Sequence, residues 1–554
     1  MKTDKRKISG LFLIILIVLI SICILHPNAI GQENDTIISN LKKHLAYLAS
    51  DELKGRGTGT PGARMAAEYI ADQMKTLDLI PSGSLFSYFQ SIPMTGSRPL
   101  PGSELKIETI NGEKELILSK DFLLFKSGAQ TFSPAPVPMV FVGYGIIAPE
   151  FDYNDYQSVD VAGKVVVCLS GEPESKDPGY FEANNETIYS YPESKQRIAI
   201  AQGAIGSVII PVNQINEDEF WDEKLREFSF EDVTLAYRVT GHLSILLNSK
   251  KTELLFSGTG ISFNDISSMI KNHEIRSFNL NTKLSFRGKF EEREFIGRNV
   301  AGLIKGEDPN LSDTYIIVSA HYDHLGIGKA VKGDSIYNGL VDNAIGVGAV
   351  LELMRIFKEK VQKPKRSILF LFVTGEENGL LGSKFYVDHP LVPLYKTIAN
   401  INIDGLAIFD TFNDVVGVGA EYSTLGEILE AICRLDNLHL SPIPPFFQSS
   451  ESFARSDQIA FAQGGIPSLL ISDGLNYKHL SYEEGLKKWI YWAENIYHTP
   501  FDDISQPINY GAAEQHISFL FNFCHRLSRM EQQPQWKNDV IFRNARLRSI
   551  AERR

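Results

Sequence analysis

The clearest pattern in the chain is a set of short apolar runs interrupted by a helical pattern. Residues 315–320, 368–373 and 398–403 are predominantly apolar, as buried strands of a parallel sheet are. Between the first two runs, residues 344–360 repeat apolar side chains at helical spacing, namely Val347, Val350, Leu351 and Met354. This alternation predicts a three-layer α/β domain, with a further strand near Val300.

Two more helices are predicted near the N-terminus, one on each side of a glycine-rich loop. Residues 36–48 place apolar side chains on one helical face, and a second helix is expected from Ala63 to about Leu77. Residues 55–62 lie between them and contain four glycines and a proline. They lack the Gly-Lys-Ser/Thr ending of a phosphate-binding loop, so no phosphate site is expected there.

Residues 134–285 have a different sequence pattern from the rest of the chain. Short β-type runs and turns dominate, and no cluster of ligand-type side chains lies among them. We therefore expect a β-rich insertion that frames a cleft and does no chemistry. It would divide the catalytic domain into an N-terminal part, residues 32–133, and a metal-binding part, residues 286–535.

The two ends of the chain differ from the body. Four basic residues precede an apolar run from Ile8 to Leu25, and Ala29-Ile30-Gly31 offers a small-x-small cleavage site. Residues 1–31 are thus predicted to be a signal peptide or a membrane anchor. The protein would be exported, and be periplasmic, secreted or membrane-anchored with its catalytic domain outside the cytoplasm. Residues 536–554 form a basic tail, expected to be solvated.

Composition sets limits on partners and on cross-links. The 554 residues are 43% hydrophobic and 22% charged, which is ordinary for a globular protein of more than one domain. A formal net charge of −12 argues against a nucleic-acid partner, because phosphates would be repelled. Only Cys168, Cys433 and Cys524 follow residue 31, so a disulfide framework is excluded.

Ligand-type side chains cluster where the predicted strands and helices end. They are His321, Asp323 and His324 after the first run, Asp342 before the helix, Glu376 and Glu377 after the second run, Asp404 after the third, and His498 near the C-terminus. Parallel strands bring their carboxyl ends to one edge of a sheet. A nitrogen and oxygen donor set without thiolate suits a pair of divalent ions such as zinc.

The order His-x-Asp, Asp-Asn, Glu-Glu, Asp and His resembles that of the co-catalytic di-zinc aminopeptidase family, over most of the mature chain. The resemblance implies a three-layer αβα zinc-exopeptidase domain with a mixed central sheet, two zinc ions per chain and a peptide substrate. Residues 160–165, Asp-Val-Ala-Gly-Lys-Val, resemble the protease-associated domain that some members carry as an insertion. Carried over to this chain, the metal ligands are His321, Asp342, Glu377, Asp404 and His498.

Each of these side chains has an expected part in hydrolysis. Asp342 should bridge the two ions, because a carboxylate has one oxygen for each. One ion would then take His321 and Asp404, and the other would take Glu377 and His498.

Two further acids have expected roles beside the ions. Asp323 should orient the imidazole of His321. By the resemblance, Glu376 is the general base, which takes a proton from the attacking water and returns it to the leaving amine. His324 is expected only to pack or to form hydrogen bonds.

The segment Arg455-Ser456-Asp457-Gln458 resembles a Ser-Asp-His segment beside the substrate pocket of relatives, with Gln458 in place of the histidine. Arg455 and Asp457 are therefore candidates for substrate binding. Acidic residues dominate around the site, which favours a substrate with a free amino terminus and a large apolar first residue. Arg455 is the basic residue that could instead hold a C-terminal carboxylate.

Several functions remain open on the sequence alone. The leading hypothesis is an exported zinc aminopeptidase. A carboxypeptidase or a dipeptidase could use the same pair of ions, because selectivity for one end of a peptide depends on pocket groups that the sequence does not locate. A single-zinc glutaminyl-cyclase-like transferase and an inactive binding protein on the same fold are further alternatives, although the chain keeps all five expected ligands.

Overall fold

The computed structural model describes residues 36–553, except 126–131, 176–179, 182–186, 213, 215, 238–241, 446, 448–451 and 539. In chain order the helices are α1 (residues 36–48), α2 (Pro61–Thr76), α3 (Pro192–Ala201), α4 (Glu217–Glu227), α5 (Phe263–Lys271), α6 (Ile345–Glu359), α7 (Leu381–Asp388), α8 (Leu425–Leu435), α9 (Gln458–Gln463), α10 (Tyr482–Asn495), α11 (Tyr510–Arg529) and α12 (Phe542–Glu552).

The strands are β1 (Ile80–Pro81), β2 (Phe89–Pro99), β3 (Glu104–Thr109), β4 (Gly112–Leu116), β5 (Phe122–Leu124), β6 (Phe132–Phe141), β7 (Ile147–Ala148), β8 (Tyr153–Asn154), β9 (Val165–Leu169), β10 (Gly206–Ile210), β11 (Asp232–Leu235), β12 (Leu243–Leu247), β13 (Phe278–Arg287), β14 (Phe290–Ile304), β15 (Tyr315–His321), β16 (Gly326–Val331), β17 (Asp334–Tyr337), β18 (Ser367–Val373), β19 (Thr397–Asn402), β20 (Asp414–Val418), β21 (His439–Ser441) and β22 (Ser468–Asp473).

The larger sheet is mixed and runs in the order β11-β2-β14-β18-β15-β19-β22-β20-β21, with β1 added on β14. Its central strands β18, β15, β19 and β22 are parallel, whereas β14 runs antiparallel to both of its neighbours, β18 and β2. This arrangement confirms the predicted α/β fold class with a mixed central sheet. The predicted apolar runs form β15, β18 and β19.

Alternate residues of the central strands face two different layers of helices. Ile316 and Val318 pack in a core with α1, α2, α6 and α11, whereas Ile317 packs in a second core with Tyr386 of α7 and Phe461 of α9. A strand covered on both faces is apolar at nearly every position. That is why residues 315–320 show no regular alternation with polar side chains.

A second sheet has the order β4-β3-β13-β6-β9-β10-β12-β5, and in it β6, β9, β10 and β12 are parallel. Helices α3 and α4 lie in the connections from β9 to β10 and from β10 towards β12. The sheet includes β3, β4 and β5, so it begins before the boundary expected at residue 134. Strand β4 is exposed at all but its last position. A strand of that kind leaves no apolar pattern to detect.

The C-terminal residues differ from the solvated tail that was expected. Trp536 and Phe542 are buried in one apolar cluster, and α12 follows them. Arg546 donates hydrogen bonds to the carbonyl oxygens of Leu394 and Thr397, at 2.8 and 2.9 Å. The basic side chains thus serve partly to satisfy backbone carbonyls, which a count of charges does not reveal.

The predicted N-terminal segment, residues 1–31, lies outside the described residues. Within the described part of the chain, no helix combines the length and the apolar character needed to cross a bilayer. Cys168, Cys433 and Cys524 are buried and unpaired, as expected from their number and spacing.

Candidate metal centre

The edge formed by the carboxyl ends of the parallel strands gathers the expected ligands. His321 is the last residue of β15, and Asp404 follows β19. Glu377 lies in the turn between β18 and α7. Asp342 lies in the irregular turn before α6, where its peptide bond to the next residue is cis, and His498 follows α10.

His321 lies against two carboxylates. Its Nε2 is 3.2 Å from Asp342 Oδ1 and 3.2 Å from Asp404 Oδ1. Its Nδ1 is 3.1 Å from the carbonyl oxygen of Asp323. A carbonyl can only accept, so Nδ1 carries a proton and donates it, and the Nε2 lone pair is left for a metal.

A second group of donor atoms lies beside the other carboxylate oxygen of Asp342. His498 Nε2 is 3.1 Å from Asp342 Oδ2 and 3.2 Å from Glu377 Oε2. The ring of Tyr497 stacks on the imidazole of His498, with centroids 3.8 Å apart. His498 itself has φ +53°, a left-handed conformation that non-glycine residues adopt rarely.

His324 joins this second group, although the sequence assigned it no chemical role. Its Nδ1 lies 2.7 Å from Glu377 Oε1 and 3.8 Å from Asp342 Oδ2. Its side chain is fully enclosed. The donor atoms of His324, Asp342 and Glu377 are close enough together to hold an ion, as are those of His321, Asp342 and Asp404.

The electrostatics of the centre favour bound cations. Burial would raise the pKa of Asp342, yet hydrogen bonds from His321 and His498 hold that pKa well below its usual value. Burial would lower the pKa of His321, yet the carboxylates of Asp404 and Glu376 raise it well above the ordinary range. In both cases the buried carboxylates of the centre stabilise a neighbouring positive charge, as they would stabilise a bound cation.

Glu376 and Asp457 form the acidic side of the same centre. Burial raises the pKa of Glu376 well above its usual value, and the carboxylates of Glu377, Asp404 and Asp457 add to the effect. Burial likewise raises the pKa of Asp457 to about 7. Asp457 accepts a hydrogen bond from Ser383 Oγ at 2.5 Å, while its Oδ2 has no partner among the described residues.

Asp323 lies beside His321 as expected, but its backbone carbonyl contacts the imidazole more closely than its carboxylate does. Its carboxylate Oδ1 is 3.9 Å from His321 Nδ1, and the backbone carbonyl is the closer acceptor. The carboxylate instead accepts hydrogen bonds from the Glu376 backbone N–H at 3.3 Å and from Thr58 Oγ1 at 2.9 Å. Asp323 therefore connects the histidine loop with the expected general base.

Arg455 is not brought to the ligands. Its side chain is exposed, and its Nη2 donates a hydrogen bond to Tyr191 Oη of the second sheet's domain at 3.3 Å. Its neighbour Ser456 does reach the centre and donates to Asp404 Oδ2 at 2.6 Å. Asn402 donates to Ser456 Oγ and to Gln458 Oε1, so Gln458 belongs to a buried network beneath Asp404.

Three supporting residues were not predicted from the sequence. The Asp502 carboxylate accepts hydrogen bonds from the backbone of the Asp342 turn, and Asn343 bonds to the backbone of Ile403 and Gly405 beside Asp404. In the glycine-rich loop, buried Arg56 donates to four backbone carbonyls, among them those of Tyr322 and Gly339. That loop is a structural anchor of the histidine loop.

A cleft of about 1610 Å³ opens on the centre from the side of the second sheet. His324 and Glu377 line it at the metal centre, and Thr58 and Met65 line it from the glycine-rich loop and α2. Residues of the second sheet's domain, among them Tyr144 and Lys195, contribute a further part of its wall.

Comparison with known proteins shows that part of the chain is similar to a peptidase family. A family model described as peptidase family M28 matches residues 299–524. The chain is 30% identical over 244 residues, 42% of its length and 43% of the relative's, to a protein of Aspergillus oryzae named probable leucine aminopeptidase 2. It is 34% identical over 86 residues to a vacuolar membrane protease of Verticillium alfalfae, covering 16% of this chain and 8% of that protein.

The matched stretches thus span less than half the length of these curated relatives. Among solved structures, an aminopeptidase from Aneurinibacillus sp. strain AM-1 superposes with a TM-score of 0.54 and 18% identity. The superposition covers 91% of this chain and 95% of that one, so the two share a fold. Residues 299–524 thus match peptidase family M28, in agreement with the resemblance carried by the order of ligand-type residues, and the chain shares its fold with a solved aminopeptidase.

Proposed function

We propose that this chain is an exported di-zinc aminopeptidase. The observation that carries the proposal is the position of Asp342, whose two carboxylate oxygens face two different histidines. Oδ1 faces His321 and Oδ2 faces His498, at 3.2 and 3.1 Å. A carboxylate placed between two groups of nitrogen and oxygen donors suits a pair of divalent ions.

The donor set fits zinc. Histidine nitrogens and carboxylate oxygens surround both positions, and no cysteine among the described residues approaches them, since all three are buried elsewhere. His321 would hold one ion with Asp404, and Glu377 would hold the other with His498, while Asp342 contributes to both. When bound, the ions would supply Lewis acidity and a water of lowered pKa.

The chain's own residues handle the proton. Glu376 is adjacent to a ligand, and the raised pKa of its carboxyl favours acceptance of a proton, which it can then donate again. Asp323 holds the Glu376 backbone at 3.3 Å, and its carbonyl fixes the Nδ1 proton of His321. We therefore assign proton transfer between water and leaving amine to Glu376, and orientation to Asp323.

The charge around the centre supports recognition of a free amino terminus. Glu376, Asp404 and Asp457 present carboxylates there, and the pKa of Asp457 is sensitive to both Asp404 and His321. Arg455, the candidate for holding a C-terminal carboxylate, points to Tyr191 instead. A buried ammonium needs such carboxylates, whereas a substrate carboxylate beside them would be repelled.

The remaining parts of the proposal concern the other segments. Export is supported by the basic and apolar pattern of residues 1–31, which would remain as an anchor or be removed. The domain built on the second sheet is proposed to be a protease-associated domain, because it is β-rich, lines the cleft and contains residues 160–165.

A peptide screen tests the function. Zinc-loaded protein should cleave peptides with a free amino terminus and a large apolar first residue, and N-acetylated versions should resist. C-terminal amidation should not protect a long substrate. Efficient cleavage of N-acetylated peptides that is lost on C-terminal amidation would show a carboxypeptidase instead. Glutamine cyclisation by protein holding one zinc would show a transferase.

A further inference from the structure

A buried lysine of the second sheet's domain lines the same cleft as His324 and Glu377. Lys195 is 1% exposed, and it lines the cleft together with Tyr144 and Gly171. The groups that influence its pKa are Cys168, Asp155 and Glu172, all of the second sheet's domain. No carboxylate of the metal centre is among them.

The ammonium of Lys195 is incompletely partnered. Nζ donates to the carbonyl oxygens of Tyr144 and Gly171, each at 2.6 Å. An ammonium group has three N–H donors, so among the described residues one is left without a hydrogen-bond acceptor, and the centroid of the Tyr144 ring lies 5.8 Å from Nζ. Within the described residues no carboxylate lies within 4.0 Å of this Nζ. A buried charge without a counter-ion costs stability, so its presence indicates a functional role.

The nearest acids are already engaged with other groups. Asp155 accepts hydrogen bonds from the Ile146 backbone N–H at 3.0 Å and from Tyr153 Oη at 2.9 Å. The Glu172 carboxylate is held by the backbone N–H and the hydroxyl of Thr187. Burial lowers the pKa of Lys195 to about 8, so most of the side chain stays charged at neutral pH.

The backbone around Lys195 is of the kind that binds ligands. Tyr144 and Gly171 follow the parallel strands β6 and β9, so the lysine lies at the carboxyl ends of these strands. Open α/β sheets bind ligands at that edge. The cleft volume of about 1610 Å³ exceeds the 300–1,000 Å³ or so of small-molecule pockets and leaves room for several residues of a peptide.

We propose that Lys195 binds the C-terminal carboxylate of a short peptide whose amino terminus lies at the metal centre. The inference rests on the proposed aminopeptidase function and adds a length preference to it. A peptide that spans the cleft would form an ion pair at each end. A shorter peptide would leave the ammonium of Lys195 unpaired.

The test measures binding apart from turnover. Zinc-loaded Glu376→Gln protein is titrated by calorimetry with leucine-initiated peptides of three to six residues. Each peptide is made as the free acid, as the C-terminal amide, and as the amide with glutamate in last place. At one length the free acid should bind between about 10- and 100-fold more tightly than the plain amide, as for a charge-assisted hydrogen bond in a closed site.

Two substitutions in that background assign the preference to the lysine. Lys195→Met and Lys195→Gln should both reduce the ratio of acid to amide affinity to below about twofold. Glutamine can still donate to the carbonyls of Tyr144 and Gly171, which guards against misfolding. Lys224→Met is the matched control, because Lys224 lines the same cleft but is bound to both oxygens of Glu227 at 2.8 Å. It should keep the ratio.

Equal binding of acid and amide at every length would overturn the proposal, and so would an acid preference that survives both Lys195 substitutions. If the glutamate-terminated amide binds as tightly as the free acid, Lys195 recognises an acidic side chain and the C-terminal assignment is wrong. Turnover by the unsubstituted enzyme is measured separately. A lysine-dependent acid preference without any turnover would leave the carboxylate site standing and refute the aminopeptidase function.

Discussion

The carboxylate of Asp502 accepts a hydrogen bond from the backbone N–H of Asp342 at 3.0 Å, so the residue expected to bridge two metal ions is held from behind by a second buried acid. Asp502 also accepts from the Val341 N–H at 3.0 Å, and its own carbonyl accepts from the Leu340 N–H. One side chain thus fixes the turn that aims Asp342 at both histidines.

We expect Asp502→Ala to weaken metal binding without touching a ligand. Loss of such an outer contact lowers metal affinity by about 10- to 100-fold. Competition with a chromogenic chelator measures the affinity. Asp503→Ala is the matched control, because Asp503 bonds to Ser505 outside the turn. Wild-type affinity in Asp502→Ala would show that the turn holds its shape unaided.

Removal of zinc should abolish hydrolysis, and zinc should restore it. Asp342→Ala should retain neither ion, because both groups of donors share this carboxylate. Metal content per chain, measured by mass spectrometry after gel filtration, decides the point. Retention of one tightly bound ion would mean that Asp342 serves a single position.

The two neighbouring glutamates should separate chemistry from binding. Glu376→Gln removes the proton carrier and keeps the ligands, so turnover should fall by about two to four orders of magnitude at unchanged metal content. Glu377→Gln should lose metal, because Glu377 faces both His324 and His498. Equal loss of metal in the two variants would contradict the assignment of Glu376 to proton transfer and of Glu377 to metal binding.

A pH-dependent contribution to stability is expected at Asp473, the last residue of β22. Burial raises the pKa of Asp473 to about 7, although Tyr477 Oη donates to it at 2.9 Å. Because this folded-state pKa lies above the unfolded value of about 3.9, the native state holds the proton more tightly. Stability is therefore lost as pH rises through about 4 to 7.

Between pH 5 and pH 8 this carboxyl should cost about 3 kcal/mol of unfolding free energy. Asp473→Asn keeps the acceptor for Tyr477 but cannot ionise, so its stability should fall less over the same interval. Urea unfolding at the two pH values, with zinc present throughout, measures the difference. Identical pH dependence in the two proteins would contradict the assignment.

The sequence predicted the parts of the structure that depend on periodicity and on residue type. The apolar runs became β15, β18 and β19, because a strand buried on both faces is predominantly apolar. The ligand-type residues at their ends converge because parallel strands share one edge. Both inferences need only local information.

The residues that were missed act through distant partners. His324 and Asp502 meet Glu377 and Asp342 across 53 and 160 positions of the chain, and no local spacing encodes such contacts. Arg56 resembles an ordinary loop residue until its carbonyl partners are known. Arg455 was expected at the pocket by similarity of its neighbours, yet its side chain turns to Tyr191.

Strand β11 returns from the insertion to pair with the outer edge of the catalytic sheet, beside β2. The insertion is therefore joined to its host by a shared strand as well as by its two covalent connections. Excising residues 104–287 to obtain a minimal enzyme would strip β2 of its neighbour and expose a long, unprotected edge. Such an edge templates intermolecular pairing, so the shortened protein should aggregate unless β11 is retained.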